Sequence, residues 1–113
     1  MQLFQEALDY RQTQPDALAT RIAKWCVGKA LRALARTERA LEVQQALLAE
    51  YEAIGKRDGF VFEELAECHD ALGDKSRARR YFALAYAELS RDRDFVQHEA
   101  ARLERIGKLG GVL

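Results

Sequence analysis

Residues 59–89 read GFVFEELAECHDALGDKSRARRYFALAYAEL, and this stretch decides the fold class. Its apolar side chains recur at intervals of three and four residues, which is the spacing of an amphipathic helix. The pair Gly73-Asp74 interrupts the pattern, because glycine commonly ends a helix and aspartate commonly begins one. The stretch therefore predicts two helices, over about residues 60–72 and 75–89, joined by a short turn.

The rest of the chain shows the same helical spacing, and no stretch alternates with the period of two that is typical of strands. Pro15 and Gly55 mark further breaks between apolar segments. The C-terminal KLGGVL is expected to fray. Helices are predicted over the N-terminal apolar segment and over about residues 17–35, 38–54, 60–72, 75–89 and 94–106. These six helices and their short turns predict an all-α fold with antiparallel neighbours.

The composition excludes several classes of protein. The chain has 113 residues, which is enough for one domain, and its 18 basic and 18 acidic residues cancel. A nucleic-acid-binding protein usually carries net positive charge, and a membrane span needs about 20 apolar residues in a row; neither is found. Two cysteines suit neither a disulfide framework nor a four-ligand zinc site, so we expect free thiols and a cytoplasmic protein.

The helical pattern repeats within the chain. When residues 27–35 are aligned with residues 65–73, which lie 38 positions later, small or apolar residues of the two segments coincide. Residues 96–107 align in the same way with residues 62–73, which lie 34 positions earlier. Small residues recur where two helices approach to about 8–10 Å. The first shift sets Val27, Gly28, Leu31, Leu34 and Ala35 on Leu65, Ala66, His69, Leu72 and Gly73, and the second sets Val96, Ala100, Leu103, Ile106 and Gly107 on Phe62, Ala66, His69, Leu72 and Gly73.

In this register the chain resembles the tetratricopeptide repeat (TPR) family, whose period is about 34 residues. The segment from Gly59 carries the resemblance best, because its small and aromatic residues have the spacing that the family uses. Two residues depart from the family pattern: His69 stands where tyrosine is usual, and Ser90 lies near the place of a common proline. The matching residues are Phe62, Leu65, Ala66, Gly73, Asp74, Ala78, Phe82 and Ala85.

The resemblance implies a short right-handed solenoid of antiparallel helical hairpins, in a single domain that covers residues 1–113. It divides the chain into a half repeat (1–12), two repeats (21–58 and 59–92) and a capping half repeat (93–107). It further implies a non-enzymatic module that binds a peptide or a partner helix of another protein in a concave groove, without cofactor or metal.

Four neighbouring residues, Glu67, Cys68, His69 and Asp70, have side chains typical of metal sites and active sites. On a helix, however, successive side chains point about 100° apart, so these four cannot converge on one ion. The repeat register instead predicts a buried Cys68 thiol and a His69 ring packed against the partner helix. A metal-binding or catalytic role is the third-ranked alternative, after binding and self-association.

The register also predicts which side chains line the groove. An acidic stripe on the fourth predicted helix faces an aromatic residue and two cations on the second, and polar residues of the last helix complete the set. The predicted groove residues are Trp25, Lys29, Arg32, Glu63, Glu67, Asp70, Gln97 and Glu104. Two interpretations stay open: the opposite charges orient a charged peptide, or they neutralise each other between neighbouring helices. Trp25 is likewise either an anchor for the partner or part of the core.

Two other predicted surfaces bear on function. The basic stretch KSRARRYF, residues 75–82, is predicted to be a solvated helix face, because its arginines radiate around the helix. The apolar side chains of the first predicted helix lack an obvious cover, and a repeat protein of this length is at the minimum that stacks stably. The second hypothesis is therefore a self-associating, homodimeric scaffold domain that uses its end helices.

Overall fold

The computed structural model describes residues 16–113 of the chain. The half repeat predicted over residues 1–12 lies outside the described residues. No strand occurs within residues 16–113, so the all-α prediction is confirmed for this part of the chain. Its six helices are α1 (Asp16–Ala33), α2 (Thr37–Ala53), α3 (Gly59–Ala71), α4 (Lys75–Leu89), α5 (Arg93–His98) and α6 (Ala100–Leu109).

Helices that follow one another in the sequence pack together in space. α1 packs on α2, α2 on α3 and α3 on α4, while α4 also packs on α6 and α1 reaches α3. Short connections favour this arrangement, because they leave consecutive helices no room to separate. α3 thus has neighbours on several sides, and most of its residues are buried.

Two apolar clusters meet at α3. One face of this helix contributes Phe62 and Ala66 to a cluster with α4, α5 and α6. The other face contributes Val61 and Leu65 to a cluster with α2. Phe82 of α4 is among the largest fully buried side chains. The segment 59–89, which decided the fold class from the sequence, therefore contributes to both clusters.

The ends of α1 and α3 have the same geometry. Ala35 and Gly73 both have positive φ angles, of 63° and 84°, just after the helix. In each case the next N–H donates to the carbonyl five residues back, at 2.9 Å for Arg36 and 2.8 Å for Asp74. These two positions are equivalent under the 38-residue shift. Alanine is strained there, because its Cβ crowds the backbone in the left-handed region and glycine has none.

The prediction of one continuous helix over residues 94–106 is wrong. The segment breaks at Glu99, whose φ and ψ are −127° and 37°, so that α5 and α6 are separate helices. On an unbroken helix Phe95 and Leu103 would point about 80° apart. The break changes the direction of the second segment, and Phe95, Leu103 and Ile106 all enter one cluster.

The C-terminal KLGGVL does not fray as expected. α6 continues past Gly107 to Leu109, and the N–H groups of Val112 and Leu113 both donate to the Gly107 carbonyl, at 3.0 and 3.3 Å. Gly107 and Gly110 are buried, and a Cβ at Gly110 would lie 2.6 Å from the backbone of Ala83 in α4. The small residues of the tail thus allow close packing on α4.

Charge patterning limits the apolar character of the helices. The longest of them, α1, spans 18 residues and carries Arg21, Lys24, Lys29 and Arg32. Within residues 16–113, no helix is both long enough and apolar enough to cross a bilayer.

Replacing Ala35 with glycine should stabilise the protein by about 1 kcal/mol, because it removes the strain of a left-handed alanine. Ala30→Gly is the matched control: Ala30 is exposed within α1, and glycine there should cost roughly 0.5–1 kcal/mol. Urea denaturation of both variants measures the two changes. If the free energy of unfolding changes in the same direction in both variants, Ala35 is not strained.

Candidate functional site

The acidic residues of α3 are paired with arginines of other helices. The guanidinium of Arg32 on α1 donates two hydrogen bonds to Glu64, from Nε to Oε2 at 2.6 Å and from Nη2 to Oε1 at 2.9 Å. The Glu64 side chain is almost fully buried. A two-pronged pair of this kind satisfies both carboxylate oxygens and fixes the relative position of the two helices.

The last helix supplies two further arginines to α3. Arg102 forms a two-pronged pair with the buried Glu63, with Nε 2.8 Å from Oε2. Arg105 lies one turn further along α6 and pairs with Glu67 at 3.1 Å. The spacing of four residues on α3 thus matches a spacing of three on α6, so that two parallel ion pairs connect the helices.

These hydrogen bonds hold the arginines in the charged form. Donation to Glu64 raises the pKa of Arg32, and donation to Glu63 raises that of Arg102; partial burial opposes both shifts. Both arginines therefore remain cationic beside the buried glutamates.

The predicted acidic stripe exists, but the protein itself neutralises it. Glu63 and Glu67 are bound by Arg102 and Arg105, and Asp70 accepts a hydrogen bond from Lys75 at 2.6 Å. The opposite charges of α1 and α3 do meet, but through a glutamate outside the predicted stripe, because Arg32 pairs with Glu64. Of the two interpretations of these charges, the contacts agree with neutralisation between neighbouring helices. The sequence pattern missed the two α6 arginines, because the break at Glu99 sets which face of α6 meets α3.

The remaining predicted groove residues are dispersed. Gln97 is exposed on α5, and Glu104 is exposed on α6, where it pairs with Lys108 at 3.0 Å. The break between α5 and α6 puts these two residues on different helices rather than in one row. Lys29 is exposed on α1, with its ammonium 5.0 Å from the centre of the Trp25 ring.

Trp25 combines the two roles that the sequence left open. It is half-buried, it packs against the α2–α3 cluster, and its ring meets that of Phe60 edge-on at 6.0 Å. Its indole N–H donates to the Phe60 carbonyl at 3.1 Å. The rest of the ring lines a cavity of about 330 Å³. Trp25 is thus fixed by the core and presented to a cavity.

This cavity was not foreseen from the sequence. It is lined by Leu18, Ile22, Trp25, Tyr51, Asp58 and Phe60, which come from α1, α2 and the start of α3. The one signal available in the sequence is the i, i+4, i+7 spacing of Leu18, Ile22 and Trp25, which puts three apolar side chains on one face of α1. About half of the Leu18 and Ile22 side chains is exposed to solvent.

Tyr51 and Asp58 supply the polar groups of the cavity. Burial and the neighbouring Asp58 carboxylate together raise the pKa of Tyr51 to about 12, so the phenol stays protonated and can donate to that carboxylate. Asp58 is also the N-cap of α3, where Oδ1 accepts from the N–H groups of Phe60 at 2.8 Å and Val61 at 3.3 Å. These bonds fix the carboxylate at the cavity.

Cys68 and His69 are packed as the register predicts. Cys68 is fully buried on α3, and burial raises the pKa of its thiol to about 11, which leaves it protonated and unreactive at neutral pH. His69 is buried and stacks on Tyr81 of α4, with ring centres 5.5 Å apart. Within residues 16–113, no three side chains of His, Cys, Asp or Glu lie close enough together to hold a metal ion.

Comparison of the chain with protein families, with curated proteins and with solved structures finds no match. The likeness to TPR proteins therefore stays a prediction from the sequence.

The substitution Arg32→Gln should lower the free energy of unfolding by roughly 1–3 kcal/mol, because it leaves the buried Glu64 carboxylate without its donor. Lys108→Gln is the control, since it breaks the exposed pair with Glu104, which should contribute less than about 0.5 kcal/mol. Chemical denaturation at neutral pH measures both. Equal losses in the two variants would show that burial of Glu64 carries no such penalty.

The buried imidazole should make stability depend on pH. Burial lowers the pKa of His69 below its ordinary value of 6.5, so the unfolded chain binds a proton more readily than the folded one. This contribution is present above about pH 6.5 and is lost as the pH falls through the lower folded pKa. The free energy of unfolding should therefore fall more between pH 7.5 and 5.5 in the wild type than in His69→Phe.

The exposed His98 provides the comparison for this experiment, because the same replacement there removes a histidine that is open to solvent. If the free energy of unfolding of His69→Phe falls with pH as steeply as that of His98→Phe, the buried histidine does not titrate on unfolding.

Proposed function

We propose that the protein is a non-enzymatic protein–protein interaction module, which binds a peptide or a partner helix along the surface formed by α1 and the start of α3. The observation that supports this most is the apolar cavity beside Trp25. Half-exposed Leu18 and Ile22 at its mouth offer apolar contact area, and tryptophan is enriched among residues that dominate binding energy. The indole is already fixed by its bond to Phe60, so binding need not order it.

The architecture that we propose for this role is a short right-handed stack of TPR-like hairpins, with repeats at 21–58 and 59–92 and a capping half repeat at 93–107. The shared left-handed geometry of Ala35 and Gly73 supports the first 38-residue step. The second step has less support, because Gly107 lies within α6 and not at a turn.

The ion pairs of α3 leave charge a smaller part in the proposed binding than the sequence predicted. Most carboxylates of α3 already have partners within the chain, so they contribute little attraction to a ligand. In this proposal the apolar cavity provides affinity, and exposed charges such as Lys29 set orientation. We further propose a cytoplasmic location, since Cys26 and Cys68 are both free thiols.

A specific observation favours self-association as a second candidate function. Val27 on α1 and Leu34, which follows that helix, are 56% and 68% exposed, whereas Leu65, the equivalent of Val27, is completely buried against α2. The face of α3 that carries Leu65 is therefore covered by α2, whereas the equivalent face of α1 is exposed. A second copy of the chain would bury this face in a homodimer.

The substitution Ile22→Glu should weaken the binding of peptides selected on the wild type from a random display library by at least about tenfold, because it places a charge at the cavity. Val27→Glu is the matched control. It makes a similar change at a similarly exposed residue on another side of α1, and it should leave affinity unchanged. Calorimetric titration with synthetic peptides gives the affinities. Failure to select any peptide, or equal losses in both variants, would contradict the proposed function.

The same two variants separate the second candidate from the first. If the Val27 face forms a homodimer, sedimentation at micromolar concentration should show a dimer for the wild type and for Ile22→Glu, and a monomer for Val27→Glu. A monomeric wild type would reject self-association through this face.

A further inference from the structure

Six residues line the cavity beside Trp25, and only one of them is charged. Three are aromatic (Trp25, Tyr51 and Phe60), two are aliphatic (Leu18 and Ile22), and the sixth is Asp58. The volume of about 330 Å³ lies near the lower end of the range of small-ligand cavities, which suits a single long side chain. The cavity thus combines an apolar wall, aromatic rings and one carboxylate.

The carboxylate at the cavity has no ion-pair partner in the described part of the chain. Among residues 16–113, no lysine, arginine or histidine lies within ion-pair distance of Asp58, in contrast with Glu63, Glu64 and Glu67 on the following helix. Asp58 accepts hydrogen bonds from two backbone N–H groups, and the neutral phenol of Tyr51 lies near it. Its negative charge therefore remains available to a ligand.

The aromatic rings of the cavity already attract cations. Lys29 lies over Trp25, Arg21 lies 5.5 Å from the centre of Tyr51, and Arg102 lies 5.9 Å from that of Phe60. None of these three cations lines the cavity. A positive charge is attracted to the face of an aromatic ring, and more strongly where water is partly excluded.

The nearby arginines do not compensate Asp58. Arg102 is bound by Glu63, and Arg21 lies 3.9 Å from Glu50, whose carboxylate Lys24 also contacts at 2.8 Å. Each arginine therefore has a carboxylate other than Asp58 within ion-pair distance. The charge that a ligand meets within the cavity itself is that of Asp58.

We propose that this cavity receives a basic side chain, arginine or lysine, of the bound peptide, with its aliphatic stem against Leu18 and Ile22 and its cationic head between the aromatic rings and Asp58. This assignment rests on the proposed function, since it names the residue type that a peptide partner inserts. Arginine suits the site better than lysine, because its guanidinium is less strongly hydrated and stacks on aromatic rings.

Small probes test the chemistry of the cavity without a known partner. n-Butylguanidinium mimics the arginine side chain, and n-butylurea is its neutral counterpart of nearly the same shape. Trp25 is the only tryptophan of the chain, so its fluorescence and its indole N–H signal in NMR spectra report directly on the cavity. We expect the cationic probe to bind roughly five- to tenfold more tightly than the neutral one.

Asp58→Asn removes the charge and keeps the cap, because asparagine caps helices about as well as aspartate. It should reduce the preference for the cationic probe, leaving only the part that the aromatic rings provide, while the thermal stability stays close to that of the wild type. Asp74→Asn is the matched control: Asp74 caps α4 in the same way, with Oδ1 accepting from the Arg77 N–H at 3.1 Å, and it does not line the cavity. This variant should retain the preference.

Three results would overturn the assignment: equal binding of both probes, a preference that Asp58→Asn leaves undiminished, or no effect of either probe on Trp25. Peptide selection separates this failure from that of the proposed function. Peptides that need Ile22 but carry no essential basic residue would uphold the interaction module and reject the basic anchor. A cavity that prefers the cationic probe, in a protein that selects no peptide, would reject the module alone.

Discussion

Two adjacent carboxylates on α3, those of Glu63 and Glu64, are buried, and each needs a counter-charge from another helix. Because neighbouring residues on a helix point about 100° apart, one carboxylate turns towards α1 and the other towards α6. A buried charge without its partner is far more costly than a broken surface pair. The burial of α3 between its neighbours therefore depends on Arg32 and Arg102. The net stability gained from such pairs is small, because the desolvation of both charges offsets their attraction.

The position of the cavity follows from the same constraint. The pair between Arg32 and Glu64 fixes where α1 lies along α3, and this placement brings the Trp25 indole to the Phe60 carbonyl. The side chains N-terminal to Trp25 on α1 then overhang the start of α3, where Asp58 caps the helix. The packing against α3 therefore determines the candidate binding surface.

Local patterns in the sequence predicted the local features of the fold. Apolar spacing and the break at Gly73-Asp74 located α1 to α4 to within a few residues, and the repeat register predicted the burial of Cys68 and His69. The break at Glu99 was not predictable, because no glycine or proline marks it in the sequence. The site depends on contacts between distant segments, so the cavity and the partners of Glu63 and Glu67 could not be read from one helix at a time.

The arginine pairs have a consequence for the modularity of the protein. Under the 34-residue shift, Cys68 and Ala71 occupy the positions of Arg102 and Arg105. A tandem duplication of the segment 59–92 would thus place a thiol and a methyl group against Glu63 and Glu67 of the preceding copy. Neither group carries a positive charge, so such a copy would leave the buried Glu63 without its counter-charge. The contacts between α3 and α6 therefore depend on two arginines that the sequence shift does not reproduce.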